Sequence, residues 1–219
     1  MVRDALVKTR AKYISLIRSI LRREGYRVPD CNVVVFEKRV DELRIPKTLH
    51  SEVEPLFLVM RGIDEQIKQT TERLREQTDN NQVTKRFCTA PGIGPITAST
   101  FLAVIDDVNR FASAPKVTSY LGIVPQEFSS SEKRFRGRIT KAGNSRLRWL
   151  LVEAAWSIVA HPRPETEYLR AWYSRIMLRR GKKIAVVALA RKLAGILYAM
   201  WRDGTEFRPP QIRRHEGTN

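Results

Sequence analysis

Residues 90–107 read APGIGPITASTFLAVIDD, 119–128 read SYLGIVPQEF, 129–144 read SSSEKRFRGRITKAGN and 146–156 read RLRWLLVEAAW. This block decides the fold. FCTAPGIGPITASTFLAVI at 87–105 has the form of a helix-hairpin-helix turn. Gly92 and Gly94 permit backbone angles closed to other residues, and Pro95 suits the first position of the helix that follows. Such a turn points free N–H groups outward at a helix N-terminus, where the dipole favours a phosphate. A contact of that kind positions a strand without reading its bases. The same turn also serves as a purely structural corner. Asp106 and Asp107 close the helix and read as a local structural feature, because neighbours on a helix point about 100° apart.

The polar run that follows is the chemical centre. Lys133, Arg134, Arg136, Arg138, Lys141, Arg146 and Arg148 stand against Glu132 alone between 132 and 148. Gly137 and Gly143 loosen the segment, and FRGRIT suits a short hairpin arm. A serine hydroxyl is a weak nucleophile until a base or field activates it. Among cations, the group it would attack is a phosphodiester, whose oxygens Arg and Lys can hold. A Ser-rich loop is also often only a loop. The helix from Leu147 to Ala160 is apolar nearly all round, Trp149 and Trp156 included, and reads as the central core helix.

Outward from the block, residues 1–24 form an amphipathic helix with Gly25 just past its end. VVVF at 33–36 has strand propensity, but Phe36, Val40 and Leu43 fit a short helix closed by Pro46. Leu49, Val53, Leu56, Met60, Ile63, Ile67, Thr70 and Leu74 alternate steps of four and three, a heptad seam that suits subunit pairing by a coiled coil. An amphipathic helix packed on its own domain is the other reading. Pro55 implies a kink or a helix start near Glu54. QTDNNQ at 77–82 marks a boundary. A last helix spans Ile184–Trp201.

The expected fold is mainly α: an extended helical or coiled-coil segment over 1–82, then a compact helical domain over 83–208 with the glycine turn and a basic loop or short β-hairpin, then a disordered tail over 209–219.

Forty Lys and Arg against twenty-three Asp and Glu give +17 over 219 residues. Nucleic acid is the partner that charge fits first, an anionic membrane surface second. The longest apolar run, Trp149–Ala160, is interrupted by Glu153, so no membrane span is expected. Cys31 and Cys88 make no disulfide framework, and His50, His161 and His215 are scattered. A reduced, cytoplasmic chain without structural metal follows.

Taken together, PGIGPITASTFLAVI, SYLGIVPQEFSSSEKRFRGRITKAGNSRLRWLLVEAAW and RKLAGILYAMWRDGTEF resemble the C-terminal domain of transposases of the insertion-sequence 110/116/902 family, relatives of the Piv DNA invertase. LVKTRAKYISLIRSILRREGYRVP resembles the helical segment before that domain. The resemblance implies DNA transposition and recombination. It also implies a serine that becomes linked to the DNA phosphate, and an RNase H-like N-terminal domain whose four acids bind Mg²⁺. Dimers or tetramers joined by the coiled coil, and in several members a structured guide RNA, are implied as well. The family pattern P-x-E-x-S-S-G-E-K falls on Pro125, Glu127, Ser129, Ser130, Ser131, Glu132 and Lys133, with Ser131 where glycine is usual. It makes Ser130 the first candidate nucleophile and Ser129 the second. Gly137, Ile139, Lys141, Gly143 and Arg148 match the run that follows. Asp4 is the one carboxylate in the first twenty-three residues, so the acidic half is expected to be missing from a truncated or split chain, inactive alone. The alternative function is a non-catalytic helix-hairpin-helix module that binds nucleic acid or regulates full-length assemblies.

Overall fold

The computed structural model describes residues 2–130 and 133–209, the side chains of 128–136 excepted. Over these residues the protein is mainly α, as expected, with one two-stranded sheet. It divides into two compact units, 1–74 and 75–219.

The first unit is built on helix α1 (Val2–Arg23), a 3₁₀ turn at Val33–Val35 with α2 (Phe36–Asp41), and α3 (Lys47–Asp79). Gly25 stops α1 with a positive φ of 85°. VVVF therefore forms no strand. Asn32 accepts a bond from the Val34 amide and starts the 3₁₀ turn, while Phe36 and Val40 bury one face of α2. The core joins Ile17 and Leu21 of α1, Phe36 and Val40 of α2, and Leu49, Val53, Phe57 and Met60 of α3. Arg3 Nε donates to Thr71 Oγ1 at 2.8 Å and Arg10 Nη1 to Asp64 at 2.6 Å. The first helix thus runs antiparallel to the third. The heptad seam is occupied inside the chain: Leu49, Val53 and Met60 meet this chain's own residues.

Pro55 does not mark the start of the helix. Helix α3 is continuous from Lys47 to Asp79 with Pro55 inside it. A proline inside a helix costs about 3 kcal/mol. Leu49 and Val53 before it, and Phe57 and Met60 after it, are all buried in one cluster. At roughly 1.5–3 kcal/mol for each such side chain, that burial outweighs the lost hydrogen bond.

The second unit gathers α4 (Gln82–Phe87), α5 (Pro95–Ile105), α6 (Ala114–Tyr120), strands β1 (Pro125–Ser130) and β2 (Lys133–Ile139), α7 (Ser145–Ala160), α8 (Glu167–Arg180) and α9 (Lys182–Asp203). Asn81 caps α4, accepting from the Val83 and Thr84 amides. Asn144 caps α7 through the Leu147 amide at 2.9 Å. Helix α9 is the hub: it packs on α4, α6, α7 and α8, and Tyr198 on it donates to the Phe111 carbonyl at 2.7 Å. It is the one helix among the described residues long and apolar enough to cross a membrane, but 50% of its most apolar window is buried within the protein. Gly204, left-handed at φ 65°, ends it and returns its N–H to Met200 and Trp201. Helix α7 buries Leu147, Leu150, Leu151, Ala154, Ala155 and Ile158. The helix expected at the centre of the core buries one face, and Trp149 on its other side is 50% exposed.

Candidate nucleic-acid interface

The serine-bearing segment is an antiparallel hairpin, rooted at one joint. Its register sets Glu127 opposite Arg136, Phe128 opposite Phe135, Ser129 opposite Arg134 and Ser130 opposite Lys133. Ser131 and Glu132 lie outside the described residues, as do the side chains of Ser129, Ser130, Lys133, Arg134 and Arg136. Below the sheet the pairing continues: the Thr140 amide donates to the Val124 carbonyl at 2.9 Å and the Lys141 amide to the Gly122 carbonyl at 3.1 Å. Leu121 and Ile123 hold this root in the core.

Two glycines make the joint possible. Gly122 sits at φ +68°, and a Cβ there would lie 2.5 Å from the Ala142 amide nitrogen. A Cβ on Gly143 would lie 2.0 Å from the Tyr120 carbonyl oxygen. Chain segments 120–122 and 141–143 therefore touch backbone to backbone. Lys141 itself takes a positive φ of 57°, a conformation that costs a non-glycine residue about 1–2 kcal/mol.

Arg148 belongs to this joint. Its Nη1 donates to the Gly143 carbonyl at 2.5 Å and to the Leu121 carbonyl at 3.2 Å. The residue expected to grip phosphate ties the two backbone segments together through its Nη1. Arg138 and Lys141 are solvent-exposed beside it. Arg146 lies over the Trp149 ring at 4.6 Å. Arg110 lies over both Phe111 and Tyr120, at 5.6 and 5.8 Å.

The glycine turn sits elsewhere on α7. Gly92 has φ +75°, and a Cβ on it would lie 2.7 Å from the Ala154 carbonyl oxygen. This glycine permits α7 to pass close, which is a packing role. Gly94 is open, with nothing within 4 Å of an added Cβ. A cleft of about 450 Å³ beside it is lined by Thr89, Gly94, Ser157, His161 and Arg163, among others. The hairpin root meets α7 at Arg148 and the turn meets it at Ala154 and Ile158. The two expected phosphate contacts are thus set apart along one helix.

Burial pushes the Cys88 thiol up from its ordinary value, and the charge of Asp79 adds to the effect. Cys88 is therefore no ready nucleophile. Among the described residues no three His, Cys, Asp or Glu side chains gather into a set that could hold a metal ion.

Sequence reasoning missed Trp149, Tyr120 and Arg110. A signal for Trp149 was present: it falls off the stripe Leu147, Leu150/Leu151, Ala154/Ala155, Ile158 and onto the opposite face with Trp156.

The chain is similar to proteins named as transposases of insertion sequences. The chain is 30% identical over 210 residues to the transposase for insertion sequence element IS1111A of Coxiella burnetii, covering 91% of this chain and 56% of that protein. It is 29% identical over 210 residues to the transposase for insertion sequence element IS1328 of Yersinia enterocolitica, covering 94% and 62%. It is 27% identical over 152 residues to the IS116 uncharacterized 44.8 kDa protein of Streptomyces clavuligerus, covering 68% and 36%. The chain spans a little over half the length of the first two. Residues 84–170 match the model of the Transposase IS116/IS110/IS902 family. The match runs from α4 across the glycine turn, the hairpin and α7 into α8.

Proposed function

We propose that this chain acts in the transposition of an insertion sequence, binding DNA through the cations from Lys133 to Arg146 and offering Ser130, with Ser129 beside it, to a phosphodiester. The observation that carries the reading is the hairpin. Strand β1 ends on Ser129 and Ser130, and the register sets them opposite Arg134 and Lys133. The joint at Gly122 and Gly143 holds the opposite, Pro125 end of the hairpin, and Arg148 of α7 donates to it. The relatives' names as transposases supply the kind of substrate.

The chemistry is a phosphoryl transfer. As the Ser130 Oγ–P bond forms, a bridging P–O bond breaks; the serine proton leaves to solvent or a base, and the departing sugar oxygen takes one up. Cations from β2 and the segment after it balance the charge that develops on the phosphoryl oxygens. A structured guide RNA is a second polyanion the same cations suit. Self-association through 49–77 would use the exposed Leu58 and Val59, because the seam residues Leu49, Val53 and Met60 are already covered.

Duplex binding as a function of salt tests the reading. Contact with about five phosphates gives a slope of log affinity against log salt of about −4 to −5. A flat response removes the nucleic-acid role. For the serines, a covalent protein–DNA species on a denaturing gel that persists in both Ser130→Ala and Ser129→Ala removes the nucleophile assignment.

A further inference from the structure

We propose that the outer face of α7 is a stacking platform for unpaired nucleotides, with Trp149 as its anchor and Trp156 as its second ring. The proposal rests on the nucleic-acid reading of the hairpin and adds a second mode of contact to it. Trp149 is 50% exposed and is absent from the residues packed on the core, whereas Trp156 and Val152 pack against it with one side. The Trp149 indole is thus presented rather than used for folding. A single exposed apolar residue needs no explanation. Two indoles on one helix face, each under a cation, do. Arg146 lies 4.6 Å from the Trp149 centroid and Lys182 lies 5.1 Å from that of Trp156.

The arrangement selects the occupant. Seven residues separate the rings, about 10 Å along the helix axis. With a ring at each end, that length holds roughly two bases at 3.4 Å spacing. Every base has a π-face, so such a platform takes a strand without regard to sequence. The one carboxylate of α7, the exposed Glu153, lies between the rings. A carboxylate there disfavours a phosphate track along the middle of the face and leaves the bases as the groups that meet the rings, while the cations stand at the two ends. In a paired duplex the base faces are covered, so the platform acts only on unpaired nucleotides. It begins on the first turns of α7, within four residues of the Arg148 joint that roots the serine hairpin. A strand opened at the hairpin would find it next.

The test uses the full chain with a labelled oligothymidylate, an oligouridylate and a duplex, read by fluorescence anisotropy at fixed salt. Trp149→Leu is expected to weaken single-strand binding about 5- to 150-fold and to leave duplex affinity within about twofold. Trp149→Phe keeps a ring and is expected to restore most of the loss. The two oligonucleotides separate a DNA strand from an RNA strand as the source of the bases. Single-strand affinity unchanged in Trp149→Leu, with duplex binding intact in the parent, overturns the platform alone. Equal losses on single strand and duplex overturn it by assigning Trp149 to the fold. A changed sedimentation coefficient with unchanged affinity overturns it in favour of a subunit face. If the parent binds none of the three, the platform and the hairpin reading fall together.

Discussion

Replacing Arg148 with methionine distinguishes a backbone tie from a phosphate contact. Methionine keeps the length and apolar stem but donates nothing. Two bonds go, at 2.5 Å to the Gly143 carbonyl and 3.2 Å to the Leu121 carbonyl. A hydrogen bond to a charged group contributes about 1.5–3 kcal/mol, and the longer of these two sits at the weak end. The loss is therefore about 3 kcal/mol. At roughly 2–4 °C per kcal/mol for a chain of this size, the melting temperature should fall by about 6–12 °C in a calorimetric scan. The salt slope of duplex binding should stay that of the parent, since no phosphate contact is removed. Combined with Gly143→Ala, which strikes the same joint, the loss should fall short of or exceed the sum by about 0.5–3 kcal/mol. A melting temperature within a degree of the parent, together with a salt slope shallower by about 1, refutes the backbone tie and returns Arg148 to the phosphates.

Gly92→Ala should destabilise the protein by about 2–4 kcal/mol, since a positive φ and overpacking against the Ala154 carbonyl both count against it; Gly94→Ala, facing open space, should melt with the parent. Equal melting of the two in a thermal scan contradicts this. Phe57→Ala should cost about 3–5 kcal/mol, because Phe57 is fully buried and packs 6.2 Å from the Phe36 ring; denaturant unfolding reads it. Burial lifts the Tyr168 phenol from 10.0 to about 12. The folded state holds this proton more tightly than the unfolded chain does. The stability that results is present below pH 10 and is lost as pH rises through 12, so the alkaline fall in denaturant midpoint should be shallower in Tyr168→Phe. If 49–77 pairs subunits, Leu58→Asp with Val59→Asp should shift the sedimentation coefficient to that of a monomer and leave the fold intact. An oligomer that survives this change contradicts pairing through that face.

Periodicity made the large features legible. The stripe on α7 and the one on α9 each require a core on one side, and the core is there. The 49–77 stripe was equally plain, but a stripe says only that an apolar surface must be covered. What covers it lies far away in sequence, as Arg3 with Thr71 and Arg10 with Asp64 indicate. Pro55 reads as a kink or a helix start because the rule for proline is local, and four buried neighbours keep the helix continuous through it. Gly92 was legible as a turn residue, whereas the Ala154 carbonyl that forbids a side chain there is visible only once α7 is in place. Identity also hides use. Arg148 is one cation among seven in its segment, and no pattern of charge tells a carbonyl ligand from a phosphate ligand. Trp149 counts as apolar and so reads as core, although its helical phase puts it outside. The serines were legible through the family motif, and the hairpin adds the register that sets Ser130 across from Lys133.

Helix α9 also sets the order in which the second unit can assemble. It supplies nine buried residues from Ala185 to Met200 and touches four of the helices made before it. While the chain is being synthesised, α4, α6, α7 and α8 emerge with apolar faces that nothing yet covers. The unit therefore closes late, when its final helix arrives. A chain halted before Lys182 is not most of a domain but an exposed core, the state in which partly made proteins aggregate or are held by chaperones.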